Sequence, residues 1–237
     1  MIANNFENSI SVLEIALLSP SQEVSFVPYF KMSINGVAAI CVSHIDGNII
    51  LVGASYHNEG WETKSPVYIL DKDNQAFHPV QNIQTVGAHD VDSFYYGGSH
   101  YLIFSEDRNS KTSRIQSGVY VWSSSSKQYE IVQYIETDGA HGAEFFESYG
   151  DLFICVANFG DRERKRYAAV STIWKLEENC NQAAGAAAGA GGTRGAGGTR
   201  GAGAGGENGE SCTHGGTREF KKVAVIDTFG ATDCEVR

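Results

Sequence analysis

Acidic and histidine side chains return at matched places along this 237-residue chain: His89, Asp90 and Asp92, then His141 and Glu144, then Asp233 and Glu235. Carboxylates that converge can hold a hard cation such as Ca2+ through oxygen ligands. Asp90 and Asp233 stand at the same step after Gly87 and Gly230, so they are the pair expected to hold such an ion. A second reading gives these residues a structural task, hydrogen bonding to the backbone of a neighbouring repeat. Regular return favours that task, because a catalytic site needs different groups at different places whereas a structural role repeats.

Other chemistry is thin. No Ser, His and Asp order reads as a triad, and no Gly-x-Ser-x-Gly elbow is present. Zinc lacks a close Cys/His pair at ligand spacing, Cys212-Thr213-His214 being the nearest approach. Gly201-x-Gly203-x-x-Gly206 fits a dinucleotide fingerprint in letters only, since it neither follows a strand nor opens a helix. The chain therefore reads as non-catalytic, with no cofactor beyond the candidate Ca2+.

Five cysteines cannot all pair within one chain. Cys41 and Cys155 sit in apolar runs and read as small buried hydrophobes. Cys180 and Cys212 flank a glycine-rich stretch and are the candidate disulfide in an oxidising compartment. The densest charge run, 161–167, carries Arg162, Arg164, Lys165, Arg166 and Tyr167. Mixed sign suits a solvated loop, but loops on rigid sheets also present binding residues. These five are the candidate contacts for a protein partner.

Composition bounds the rest. Hydrophobic residues make up 42% and aromatics 11%, enough for a packed core. With 18 basic and 28 acidic residues the formal charge is −10, which disfavours nucleic acid and anionic membranes as partners. No apolar run reaches the roughly 20 residues of a spanning helix. The stretch Val12 to Leu18 contains Glu14 and has no basic residue ahead of it, so no signal peptide is visible.

A tandem repeat positions the residues above. Its units open at Gly36, Gly87, Gly139 and Gly230, at intervals of 51, 52 and 91 residues. Phe26, Phe77, Tyr129 and Phe220 each lie ten residues before one of these glycines. Leu70 and Trp122 lie seven residues before Phe77 and Tyr129, whereas Trp174 lies 46 before Phe220. An insert of 39 residues accounts for the excess and returns the third interval to 52. Residues 181–217 are an Ala/Gly-rich run that cannot bury enough apolar surface to offset its ordering entropy. They are expected to be a disordered loop between the third and fourth strands of one unit.

Each unit shows period-two alternation rich in aromatic and β-branched residues, as in 89–95, 101–104, 119–122 and 129–135. That pattern predicts four short antiparallel strands. Four strands in about fifty residues is the size of a β-propeller blade. The expected fold is all-β: one repeat domain over 1–237, with complete blades near 36–86, 87–138 and 139–229. A partial blade comes from 11–33 and 230–237, which together could make a composite one.

Gly87-Ala88-x-Asp90-Val91-Asp92-x-Phe94, Tyr101-Leu102 and Val119-Tyr120-x-Trp122 resemble the EAR repeat, also called the EPTP or epitempin repeat. The unit at Gly139 is similar through Glu144, Phe146, Leu152, Val156-Ala157-Asn158 and Ile173-Trp174, and the unit at Gly230 through Gly230-Ala231-Thr232-Asp233. The unit at Gly36 is more diverged, without the acidic residues and with Leu70 in place of tryptophan. The resemblance implies a seven-bladed propeller, an extracellular or cell-surface location, and recognition of other proteins without catalysis. Seven units need roughly 350 residues, so about three blades plus part of another are expected, as a fragment of such a ring. Two other classes are retained: a metal-dependent propeller hydrolase, which needs non-repeating acids and histidines in the channel, and a non-functional fragment of a longer propeller protein.

Overall fold

The computed structural model describes residues 2–4, 9–16, 25–74, 76–161, 165–179 and 217–235. These contain strands and turns, with no helix among them. β1 (Ile2–Asn4), β2 (Ser9–Ala16) and β3 (Ser25–Ser33) form a three-stranded sheet. Three four-stranded sheets follow, each antiparallel and in chain order. Blade 1 is β4 (Val37–Ile45), β5 (Asn48–Ser55), β6 (Glu62–Asp71) and β7 (Ala76–Val86). Blade 2 is β8 (Ala88–Tyr96), β9 (Ser99–Glu106), β10 (Arg114–Ser123) and β11 (Gln128–Asp138). Blade 3 is β12 (Ala140–Ser148), β13 (Asp151–Asn158), β14 (Ala168–Asn179) and β15 (Thr217–Phe229). The glycine-rich run falls between β14 and β15, outside the described residues, as do Cys180 and Cys212. The architecture is that of a partial all-β propeller.

The core lies between blades. Val52, Val67 and Ile83 of blade 1 share one buried cluster with Val91, Leu102 and Phe104 of blade 2. Ile103, Val119 and Ile135 of blade 2 share the next with Ala143, Ile154 and Phe220 of blade 3. A second strand such as β9 is therefore buried almost from end to end, because both of its faces are covered. The outermost strand β11 alternates buried and exposed positions instead.

Gly36, Gly87, Gly139 and Gly230 all have left-handed backbones, with φ of 64, 58, 65 and 63°. The first three precede the inner strands β4, β8 and β12, and Gly230 follows β15 at the equivalent step of the repeat. A Cβ at Gly139 would stand 2.2 Å from the Gly160 carbonyl oxygen, and one at Gly36 2.3 Å from that of His57. Only glycine fits such a place without strain.

The structure corrects the register of blade 3. Trp122 pairs with Tyr129 in blade 2, but Phe220 faces Leu176, while Trp174 faces Lys222 at the bulge where blade 2 has Tyr120. Two of the extra residues therefore lie in the loop before β14, and the others between β14 and β15. Among the described residues the two parts of the expected composite blade, 11–33 and 230–237, do not pair with one another. β1–β3 stand as a sheet of their own against β4, and 231–235 run beside β12 without pairing to any described strand.

Candidate functional site

Inner strands β8 and β12 carry the histidines and acids singled out by sequence. A bulge skips one residue near the start of all three inner strands: Ala38 in β4, His89 in β8 and His141 in β12. Bulges re-aim side chains, and these two imidazoles stack with centroids 4.2 Å apart across neighbouring blades. His89 donates through Nδ1 to the His141 carbonyl oxygen at 2.9 Å. Phe159 stacks on the far side of His141 at 4.4 Å. Below them, Asp107 accepts from the Tyr56 hydroxyl at 2.9 Å and lies 3.7 Å from His141 Nε2.

The carboxylates of β8 reach the next blade's backbone. Asp92 accepts the Phe145 N–H at 2.8 Å, and burial pushes its pKa up to about 6. Asp90 is raised by burial, accepts from the N–H groups of Val91 and Ala143, and feels the negative charge of Asp233. In blade 1 the position of Asp92 is taken by Cys41, whose Sγ lies 2.9 Å from Ser93 Oγ, and burial raises that thiol too. Among the described residues no three His, Cys, Asp or Glu side chains come together as a metal-holding group. Asp90 and Asp233 are close, but calcium takes six to eight oxygens, and the Asp90 carboxylate already serves Ala143.

Sequence reasoning missed a second tier of polar contacts that recurs from blade to blade, first inside each blade. Ser65, Ser117 and Ser171 bond Thr85, Thr137 and Thr228 at 2.8, 3.2 and 3.0 Å. The same serines accept the N–H of Ser55, Glu106 and Asn158. Glu106 also accepts from Val86 and Gly118, and burial lifts its pKa to about 7. Gln81 and Gln133 each clamp one backbone of the following blade. Gln133 donates to the Phe220 carbonyl at 2.9 Å and accepts its N–H at 2.7 Å, and Gln81 does the same to Tyr129 at 2.8 and 2.8 Å. Their spacing of 52 residues was the available signal, but a glutamine on an outer strand reads as a solvated residue.

The charged loop stands at the end of the blades where the glycine crossings lie. Arg166 grips Asp138 of blade 2 with two nitrogens at 2.7 and 2.8 Å. Burial alone would raise the Asp138 carboxyl, but Arg166, Ser113 and Arg114 outweigh it and hold the pKa below the usual range. Tyr167 packs edge-on to Phe159, and its carbonyl accepts the Gly230 N–H at 2.9 Å. Arg166 and Tyr167 thus have structural tasks. Lys165 is exposed, and Arg162 and Arg164 fall outside the described residues. Arg114 and Asp138 also line a groove of about 700 Å³ between blades 2 and 3, with Glu136, Lys222 and Asp227 along it. The loop is therefore anchored at the mouth of a charged groove.

Residues 76–123 match the family model of the EPTP domain. The chain is 30% identical over 137 residues to the human thrombospondin-type laminin G domain and EAR repeat-containing protein, covering 57% of this chain and 20% of that protein. The mouse protein of the same name is 35% identical over 101 residues, or 43% of this chain and 15% of its own length. The chain thus spans about a fifth or less of these relatives. Among solved structures, a GH43_1 enzyme from Xanthomonas citri complexed with xylotriose superposes at a TM-score of 0.41 with 12% identity, over 60% of this chain and 51% of that one. An exo-1,5-alpha-L-arabinanase from a bovine ruminal metagenomic library gives 0.34 with 14% identity, over 72% and 66%.

Proposed function

We propose that this chain of EAR (EPTP) repeats is a non-catalytic module that recognises another protein, at a cell surface or outside the cell. One observation carries the reading. Two of the inner-strand acids that could have done chemistry serve the next blade's backbone instead, Asp92 at the Phe145 N–H at 2.8 Å and Asp90 at Ala143. What remains to present outward is loop and groove. Arg166 ties its end of the charged run to the adjoining blade, and the exposed Lys165 stands next to that anchor, as binding residues on rigid sheets commonly do; Arg162 and Arg164 belong to the same run in sequence. The relatives are named for the same repeat, which supports a shared interaction role.

The test is a triple replacement, Arg162→Ala, Arg164→Ala and Lys165→Ala, leaving Arg166 in place. Labelled chain is titrated onto intact cells, and melting is followed in parallel. Binding is expected to fall about ten-fold or more, the scale of 1.4 kcal/mol or above, at an unchanged melting temperature. Equal binding by the variant would remove the loop from the account.

A further inference from the structure

The joints between neighbouring sheets differ at one buried position. Ser55, Glu106 and Asn158 each stand 19 residues after the glycine that opens their unit. Glu106 reaches back to blade 1, where its Oε2 accepts the Val86 N–H at 2.6 Å, while its Oε1 accepts the Gly118 N–H of its own blade at 3.3 Å. Asn158 makes the same reach to blade 2, its Oδ1 accepting the Asp138 N–H at 3.0 Å. Val86 and Asp138 immediately precede Gly87 and Gly139, and the residue in that place before Gly36 is Asn35.

Ser55 is too short for such a reach. It is 2% exposed, and its hydroxyl has no hydrogen-bond partner. A groove of about 450 Å³ opens at this joint, and Ser55 lines it together with Asn35, Asn58, Glu62, Lys64 and Asn82. That volume lies in the range of small-ligand clefts, roughly 300–1,000 Å³. A buried hydroxyl left unpaired costs free energy, which an incoming acceptor recovers.

The other two joints show what chemistry this place takes. Each holds an sp2 oxygen, the carboxylate of Glu106 or the amide carbonyl of Asn158. Blade 2 has Gln116 where blade 1 has Lys64. Burial without a cation lifts the Glu106 pKa to about 7, whereas Lys64 brings a cation to the groove at Ser55. Pro66 stands in the place of Gly118 and has no N–H to offer, so the second donor at this joint is the Ser55 hydroxyl.

We infer that the groove at Ser55 binds a carboxylate, whose oxygen takes the place that Glu106 and Asn158 fill at the other joints. Ser55 Oγ donates to that oxygen, Lys64 balances its charge against the opposing Glu62, and the amides of Asn58 and Asn82 hold the rest of the ligand. The site is separate from the loop at 161–167 and does not rest on it.

Titrations of the isotope-labelled full chain, followed by its amide NMR signals, test this with two probes. Glutarate stands for a free acid, and acetyl-Ala-Glu-Ala-amide for an acidic side chain of a protein. One or both should shift the signals of Ser55 and Lys64 saturably, and the tighter probe names the source. Lys64→Gln, which copies blade 2 at an exposed position, should weaken that probe about ten-fold, the scale of one charged hydrogen bond. Ser55→Glu, which fills the place from within, should abolish the shifts. No saturable shift with either probe would overturn the site. So would a probe that binds the Lys64→Gln chain as tightly as the parent, or one that still binds a folded Ser55→Glu chain.

Discussion

Replacing Gln133 by alanine removes one clamp between blades without touching an apolar contact. Gln133 satisfies both backbone groups of Phe220, at 2.9 and 2.7 Å, and Phe220 is buried. Two such hydrogen bonds are worth about 1 kcal/mol each in net terms, and more where the abandoned groups stay dry. Strand β15 is an outer strand, so water can reach part of this backbone, and a loss of about 2 kcal/mol follows. For a domain of this size that lowers the melting temperature by roughly 4–8 °C. Differential scanning calorimetry on Gln133→Ala reads it, with Gln81→Ala as an internal replicate, because Gln81 makes the same pair of bonds to Tyr129. Two folded variants that both melt within about 1 °C of the parent would refute the reasoning that these clamps join the blades.

Gly139→Ala should be among the most damaging single changes, costing about 2–4 kcal/mol, because it adds a Cβ 2.2 Å from the Gly160 oxygen at a positive φ; urea denaturation measures it. Glu106 has a folded pKa raised to about 7, so the folded chain keeps a proton that the unfolded chain has lost. Its contribution is present below the unfolded carboxylate range and fades as pH rises toward 7. Glu106→Gln should flatten melting temperature against pH between 4 and 7, and an unaltered profile would count against the assignment. Saturating Ca2+ should leave the melting temperature unmoved, since the Asp90 carboxylate is engaged with Ala143. A rise abolished by Asp90→Asn with Asp233→Asn would reinstate a cation between them.

The propeller architecture was legible because its constraints fall on residue types with few substitutes. A left-handed crossing needs glycine, so Gly36, Gly87, Gly139 and Gly230 marked the phase. The aromatic ten residues earlier sits on an outer strand whose backbone the previous blade grips, as at Tyr129 and Phe220. Trp174 misled for a physical reason: a two-residue difference in the preceding loop slid β14 against the landmark, and only the ladder shows Leu176 opposite Phe220. Cys155 is joined to Cys234 by a disulfide; it was read as a buried hydrophobe because its neighbours are apolar and that partner lies 79 residues away. The aligned repeat held the clue, since the counterparts of this pair, Ile103 and Ala143, already meet in one cluster. Asp107 and Arg108 were opaque. Their counterparts Tyr56, His57, Phe159 and Gly160 differ in type, so no pattern marks the pair, whose Asp107 lies 3.7 Å from His141 Nε2 and whose Arg108 lies over the Trp61 ring.

Recognition of a protein is the central claim, and an equilibrium titration of the purified, labelled chain onto intact cells tests it most directly. Binding should saturate, disappear when surface proteins are trimmed by protease, and weaken when Arg162, Arg164 and Lys165 are replaced together. Binding that never saturates, or that survives both treatments, would contradict it.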